Sequence, residues 1–138
     1  ARGAIVVDAA LDRAQQLVEQ LAAQQIRLLD DGVGDGPRLF YWHREGGRPG
    51  EIDHVIQAGG TVVPIELKAG AAGSMKSLHQ FMADKALGVA VRLDANPPSL
   101  QTVSVTTTRS APVTFRLLAL PHYLAWAIRR ALERLPAA

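Results

Sequence analysis

The chain contains no cysteine among its 138 residues. That absence excludes disulfides, thiolate zinc sites and cysteine nucleophiles, and a reducing cytoplasm is the default compartment. No apolar run approaches the roughly 18–20 residues of a membrane span, and no signal-peptide pattern opens the chain, so we expect no membrane association. Only 5% of the residues are aromatic and the net charge is a small +2. The composition therefore permits nucleic-acid binding without arguing for it.

What the chain does contain is ordinary for a globular protein. Hydrophobic residues make up 48% and charged residues 20% of the sequence, and the length suits a single domain over residues 1–138 with a real core. The first residue is Ala1 rather than Met. We therefore expect a fragment of a longer protein, whose oligomeric state the sequence does not indicate.

Hydrophobic periodicity predicts one mixed α/β domain. Asp8 is a candidate N-cap for the first helix, and Gly88 is placed where a helix C-cap would put a glycine. About twenty residues, including a helix, connect the strand that ends at Lys68 to the next one, which suits a right-handed crossover between parallel strands. The patterns predict helices over 8–29, 74–87 and from 121 onward, and strands over 38–43, 51–58, 61–68, 89–93, 101–108 and 113–120.

A hairpin centred on Gly59-Gly60 is the most informative local feature. A two-residue turn there pairs Ala58 with Thr61. Each further pair follows by moving one residue back along the first strand and one residue forward along the second. Asp53 then faces Glu66, and Glu51 faces Lys68. Like charges that face each other roughly 4.5–5.5 Å apart destabilise a sheet, so a cation is expected between the two acids. The opposite parity, which we expect to be buried, carries Ile52, Ile56, Ile65 and Leu67.

Asp53 and Glu66 could share a hard divalent cation such as Mg²⁺. Lys68, about 7 Å further along the strand, could orient a water or stabilise charge on a phosphate, which suits phosphodiester hydrolysis. The alternative is a solvated sheet face on which Lys68 pairs diagonally with one of the acids. Glu51 is either a supporting acid of the site or the cross-strand partner of Lys68.

The segments Pro49-Gly-Glu-Ile-Asp53 and Pro64-Ile-Glu-Leu-Lys68 resemble the signature of the PD-(D/E)XK nuclease superfamily. The wider run Leu39-Phe-Tyr-Trp42, together with Ser77-Leu-His-Gln-Phe81 and Leu120-Pro-His-Tyr-Leu124, resembles one branch of it. That branch is the uncharacterised domain found C-terminal to AAA-type ATPase modules in prokaryotic proteins. The resemblance covers roughly residues 15 to 125.

This resemblance implies a restriction-endonuclease-like core: a helix, a three-stranded antiparallel meander, a second helix and a further strand. A β-rich tail and a C-terminal helix would follow. It also implies that Asp53, Glu66 and Lys68 are catalytic, with Asp53 and Glu66 holding Mg²⁺ or Mn²⁺. Superfamily members often carry an extra Glu on the first helix and sometimes a Gln on the helix after the Lys, for which Glu19 and Gln80 are the candidates here. Glu51 matches an acid common beside the Asp in this branch.

Two hypotheses follow. The first is a Mg²⁺-dependent nuclease that acts on DNA. The second is a catalytically silent module with the same fold, which serves as the DNA- or partner-binding domain of an ATPase module in the same polypeptide. No G-x-x-x-x-G-K-[ST] motif occurs in this chain.

Other polar side chains favour structural interpretations. His54 has the parity of its apolar neighbours, which favours a core histidine, and none of the four histidines has metal-ligand spacing; these are His43, His54, His79 and His122. The last helix is expected to turn Arg129, Arg130, Glu133 and Arg134 outward.

Overall fold

The computed structural model describes residues 13–14, 16–18, 20–26, 38–43, 49–58, 60–68 and 75–137, and for residues 38–43, 49–51 and 53 it describes the backbone alone. Helix α1 comprises the helical residues 13–14, 16–18 and 20–26. The other elements are β1 (Arg38–His43), β2 (Pro49–Ala58), β3 (Thr61–Leu67), α2 (Lys76–Lys85), β4 (Val89–Asp94), β5 (Ser99–Thr106), β6 (Pro112–Pro121), the 3₁₀ helix η1 (His122–Ala127) and α3 (Ile128–Glu133). Within this described part, no helix has the length and apolar character needed to cross a membrane.

The described strands form one six-stranded sheet in the order β1-β2-β3-β4-β6-β5. Strands β1, β2 and β3 form the predicted antiparallel meander. Strand β4 then pairs parallel with β3, as the intervening helix indicated, and β6 pairs parallel with β4. Strand β5 pairs antiparallel with β6 at the edge. The predicted mixed α/β class is therefore confirmed.

The predicted hairpin register is confirmed from the turn to His54. Ala58 pairs with Thr61 and His54 with Ile65. Gly60 has a φ of +78°, a left-handed conformation that glycine adopts without steric cost. The turn chemistry was therefore enough to set the register of β2 on β3.

The alternation predicted for β2 is wrong at its first half. The β1–β2 register shifts between Arg38 and Phe40, which is a bulge that adds one residue to β2. Ile56 consequently packs in one core cluster and Ile52 in the other, although the two share parity. Both are buried, but on opposite faces of the sheet.

Each face of the sheet carries its own core. One cluster joins Ile65, Val91 and Leu118 of the sheet to Ile26 of α1 and Ile128 of α3. The second lies under α2 and is formed by Ile52, Leu78, Phe81, Met82, Ala90, Phe115 and Leu117. Because helices cover both faces, the middle strands are buried on both sides.

Helix α1 buries only one of its apolar stripes. Ala22 and Ile26 are buried, whereas Leu17 and Leu21 are 60% and 59% exposed. Successive helical residues are 100° apart, so the buried stripe through Ala22 and Ile26 leaves the neighbouring leucine stripe facing outward. A run of apolar residues two stripes wide cannot by itself indicate which stripe meets the sheet.

Helix α2 ends earlier than the glycine signal predicted. Its C-cap is Ala86, in the left-handed conformation with φ 52° and ψ 47°, and the Leu87 N–H donates to Met82 O at 3.1 Å. This is the Schellman hydrogen bond that usually has a glycine at the left-handed position. Gly88, two residues on, does not occupy that position.

The last helical segment is not one continuous α-helix. Residues His122–Ala127 are 3₁₀, and α-helix begins only at Ile128. Arg130, Glu133 and Arg134 are exposed as predicted. Arg129 is not simply solvated, because its Nη1 donates to Gln57 O at 2.8 Å and so ties α3 to β2.

Replacing Ala86 with glycine should stabilise the protein. A left-handed conformation costs a non-glycine residue roughly 1–2 kcal/mol, and the extra chain entropy of glycine offsets part of that gain. We expect Ala86→Gly to raise the free energy of unfolding by roughly 0.5–1 kcal/mol, measured by urea denaturation. The matched control, Ala83→Gly inside α2, should lower it by about 1 kcal/mol. Equal losses in both variants would contradict the assignment of the cap.

Candidate functional site

The end of strand β3 carries a buried ion pair. Glu66 is 8% exposed, and its Oε1 lies 2.9 Å from Lys68 Nζ. Burying a carboxylate without compensation is costly, and the Lys68 ammonium supplies a direct counter-charge. Glu66 is therefore not solvated, but the ion pair between Lys68 and one of the acids, which belongs to the alternative interpretation, is present.

Glu66 lies on the face of the sheet that α2 covers. Its neighbour Ile65 belongs to the opposite core cluster, and side chains alternate along a strand. Pro64, two residues earlier, pairs with Val55, which packs against the α2-side cluster. Helix α2 thus closes the side of the sheet on which the carboxylate is buried.

Strand β4 places a second ion pair beside the first. Arg92 is the register partner of Glu66 on the parallel strand, and its Nε donates to Asp94 Oδ2 at 2.8 Å. Asp94 is only 2% exposed, and its carboxylate also accepts from the backbone N–H and the side-chain amide of Asn96 at 2.9 and 3.2 Å. The Asp94 carboxylate is thereby held in place by three donors.

This second pair was not predicted from the sequence. The signal was present, because Arg92 and Asp94 share a parity in a strand whose other residues are apolar. Polar residues at every second position normally indicate a solvated face. Here a helix covers that face, and only the structure shows that these charges are buried.

The backbone of Lys68 is held on both sides. Its N–H donates to Leu93 O of β4 at 2.9 Å, and its carbonyl accepts from Nε2 of His122, which is buried at the start of η1. A carbonyl can only accept, so the Nε2 atom of His122 carries the hydrogen. His122 therefore anchors Lys68 across 54 positions of sequence, a role that no spacing argument reveals.

Gln80, the candidate accessory residue on α2, is 2% exposed. Its Nε2 donates to Asp84 Oδ1 at 2.7 Å. Its Oε1 is buried and has no hydrogen-bond partner among the residues that the structure describes. A buried amide oxygen on the helix that covers the Glu66 face is a candidate acceptor for a water or a cation.

The remaining candidate residues lie outside the described side chains. Glu19 is not described, and Glu51 and Asp53 are described by their backbone in β2 alone. The described β2–β3 pairing ends at His54 and Ile65. The bulge in β2 lies between Ile52 and Val55, so the predicted pairing of Asp53 with Glu66 lies beyond the described register. The side chains that are described contain no group of three or more His, Asp or Glu residues able to hold a metal. The pairing of Asp53 with Glu66 at a metal stays a prediction.

Sequence comparison assigns the chain to a family. A model described as a domain of unknown function, DUF4143, matches residues 14–123. The chain belongs to this family. No curated protein and no solved structure matches it. The DUF4143 match spans all six described strands and α2 and ends at the second residue of η1, so α3 follows the matched region.

His79 on α2 has a perturbed pKa. It lies on α2 with its ring 5.9 Å from that of Phe115. Partial burial lowers the pKa of His79 below its usual value, because desolvation penalises the imidazolium. His79 therefore behaves as a neutral core-edge residue, consistent with the absence of metal-ligand spacing.

A double-mutant cycle should measure the Glu66–Lys68 coupling. Lys68→Met removes the ammonium that lies 2.9 Å from the buried Glu66 carboxylate, and Glu66→Gln removes the negative charge that faces this ammonium, so each single change should destabilise the protein. The double variant should lose less than the sum of the two, with a coupling energy of about 0.5–3 kcal/mol. Urea denaturation of the four proteins gives this value. Strict additivity would show that the pair contributes nothing to stability.

The lowered pKa of His79 predicts a loss of stability in acid. The unfolded chain protonates His79 near pH 6.5, whereas the folded protein resists protonation until lower pH. Stability should therefore fall as the pH drops below about 6.5 and level off below the folded pKa. His79→Gln should lose less stability than wild type between pH 7.5 and 5.5, measured by urea midpoints. Identical losses in the two proteins would contradict the burial of a neutral imidazole.

Proposed function

We propose that this DUF4143 domain hydrolyses phosphodiester bonds in DNA with the help of a divalent metal, in the manner of PD-(D/E)XK nucleases. The observation that carries the proposal is the buried Glu66–Lys68 pair at the end of β3. The hairpin supports it, because the β2–β3 pairing extends to His54 and Ile65, the residues directly next to Asp53 and Glu66 in the sequence. A buried carboxylate beside a partly exposed lysine at the end of a central strand is a candidate functional pair.

The order of elements agrees with a restriction-endonuclease-like core. An antiparallel meander is followed by α2 and then by a strand parallel to β3. The bulge in β2 interrupts the alternation next to Asp53. Bulges are over-represented beside active sites, where they re-aim a side chain.

The donor chemistry fits Mg²⁺ or Mn²⁺. Glu66 supplies carboxylate oxygens and Gln80 a buried amide oxygen on the same side of the sheet, and hard divalent cations prefer oxygen ligands. Asp53 would add a second carboxylate. A cation bound there would lower the pKa of its water and neutralise charge on the scissile phosphate.

Lys68 would act on the nucleophile or on the phosphate. Its ammonium is held by Glu66 at 2.9 Å and keeps 22% of its side chain exposed, so it is both oriented and accessible. From that position it would orient the attacking water and stabilise negative charge as it develops.

A second candidate is a silent nuclease-fold module that binds DNA or a partner for a cytoplasmic AAA-type ATPase. One observation favours it: the Glu66–Lys68 pair neutralises both charges without any metal. In that case the pair would be a structural ion pair. The two candidates differ in whether the site binds a metal and cuts.

Metal-dependent cleavage is the decisive measurement. The pure chain, incubated with plasmid and with branched or single-stranded oligonucleotides, should cut in Mg²⁺ or Mn²⁺ and not in EDTA. Lys68→Met and Glu66→Gln should each lower the rate by about 10²–10⁴-fold, and Asp53→Asn should do the same. Lys85→Met and Glu133→Gln, which remove an exposed lysine and an exposed glutamate, should cut like wild type.

Calorimetry separates the two candidates. If Mn²⁺ binds wild type and Glu66→Gln abolishes the binding, the site is a metal centre. Metal binding without cleavage of any substrate would favour the silent module. If the wild type neither binds metal nor cuts, or if the site variants cut as well as wild type, the nuclease proposal is wrong.

A further inference from the structure

The last helical segment exposes two large aromatic side chains. Tyr123 is 71% exposed and Trp126 is 54% exposed, in a chain that has only two tyrosines and two tryptophans. Scattered exposed leucines need no explanation, but adjacent exposed aromatics commonly mark a binding surface. The family match ends at residue 123, so most of this surface lies beyond it.

The 3₁₀ geometry of η1 places these two rings on one side. Residues i and i+3 eclipse each other in a 3₁₀ helix, with a rise of about 2.0 Å per residue, so Tyr123 and Trp126 start about 6 Å apart along the axis. Arg130, in α3, follows Trp126 by four positions, and Arg134, the C-cap residue of α3, follows Arg130 by four. Side chains at this spacing are neighbours on a helix surface. All four residues are exposed. We name this set, Tyr123, Trp126, Arg130 and Arg134, the aromatic–arginine stripe.

The stripe begins next to the candidate site. Tyr123 follows His122, whose ring donates to the carbonyl of Lys68. Strands β3 and β6 both run parallel to β4, so their carboxyl ends lie at one edge of the sheet. The stripe therefore leads away from the edge at which the Glu66–Lys68 pair lies.

The side chains of the stripe suit a negatively charged polymer that carries planar rings with accessible faces. The segment from Ile128 to Arg134 contains three arginines and one glutamate. Proteins that bind single strands combine cationic contacts to the backbone with aromatic rings on which bases stack. In a duplex the base faces are already stacked on one another. The core of a protein-docking surface is depleted of charge, whereas here arginines continue the row of aromatics.

We propose that the aromatic–arginine stripe binds single-stranded nucleic acid, with bases on Tyr123 and Trp126 and phosphates on Arg130 and Arg134. This inference names a substrate class for the proposed function, namely DNA with unpaired nucleotides beside the scissile phosphate. What the stripe means for cleavage therefore rests on the proposed function. The binding itself requires neither metal nor cleavage.

The test measures fluorescence anisotropy of a labelled 12-nucleotide oligo-dT with the full chain in EDTA. Wild type should bind this strand more tightly than a duplex of equal length. Trp126→Ala and Tyr123→Ala should each weaken binding by about 5- to 150-fold, the usual effect of losing one stacked base. Trp126→Phe should retain most of the affinity, because a ring remains. Leu17→Ala, which truncates a 60% exposed side chain on α1, is the matched control and should bind like wild type.

Salt dependence tests the arginines separately. Arg130→Gln should weaken binding and reduce the slope of log affinity against log salt by about 0.7, the value for one phosphate contact on a single strand. Trp126→Ala should leave that slope unchanged. Circular dichroism of each variant establishes that the fold is kept.

Several results would contradict the proposed role of the stripe. They are no binding of oligo-dT, equal binding by wild type and both alanine variants, or a duplex bound as tightly as the single strand. Self-association of the chain that Trp126→Ala abolishes, without oligonucleotide binding, would show a protein interface instead. Stripe-dependent binding without cleavage in Mg²⁺ or Mn²⁺ would leave the stripe intact and count against the nuclease proposal. Cleavage at the wild-type rate by the stripe variants would support the nuclease proposal and count against a role of the stripe in substrate binding.

Discussion

Burial of β3 on both faces is the constraint on which the rest of this structure depends. The strand lies between antiparallel β2 and parallel β4, with one core cluster on each side of the sheet. A charged side chain on such a strand must be compensated within the protein, because water does not reach it. Glu66 meets that requirement with Lys68 at the strand end, while Arg92 of β4 holds the register position beside it. The polar character of the candidate site thus follows from its place in the sheet.

The β2–β3 hairpin shows which structural features a sequence pattern can predict. A glycine pair and two alternating strands were enough to predict the register. A shift of one residue would move every side chain of a strand to the other face of the sheet, so the hydrophobic pattern excludes it. The regular alternation of side chains does not hold at the start of β2, where a bulge reverses the side on which Ile52 packs. The bulge is a feature of the pairing between β2 and β1, and the alternation of residues within β2 alone does not indicate it. A local pattern therefore predicts local pairing better than it predicts which face is buried.

Burial was harder to predict than secondary structure. Arg92 and Asp94 have the alternation of a solvated strand face, yet both are buried and pair with each other on the face of the sheet that carries the core cluster under α2. Leu17 and Leu21 show the opposite case, since they have helical spacing and remain exposed. In each case the deciding fact is which element lies above the residue, and that is a property of the whole fold. Long-range contacts such as His122 to Lys68 belong to the same class.

The parallel strands explain why distant residues converge. Strands β3, β4 and β6 run in one direction, so residues that end them meet at one edge although they are far apart in sequence. Lys68, Asp94 and His122 all occupy such positions. In open sheets with parallel strands, ligands bind outside the carboxyl ends, because loops and helix starts gather there above a rigid base. That edge combines anchored charges with an exposed aromatic surface, the two features on which the proposed cleavage and the proposed strand binding depend.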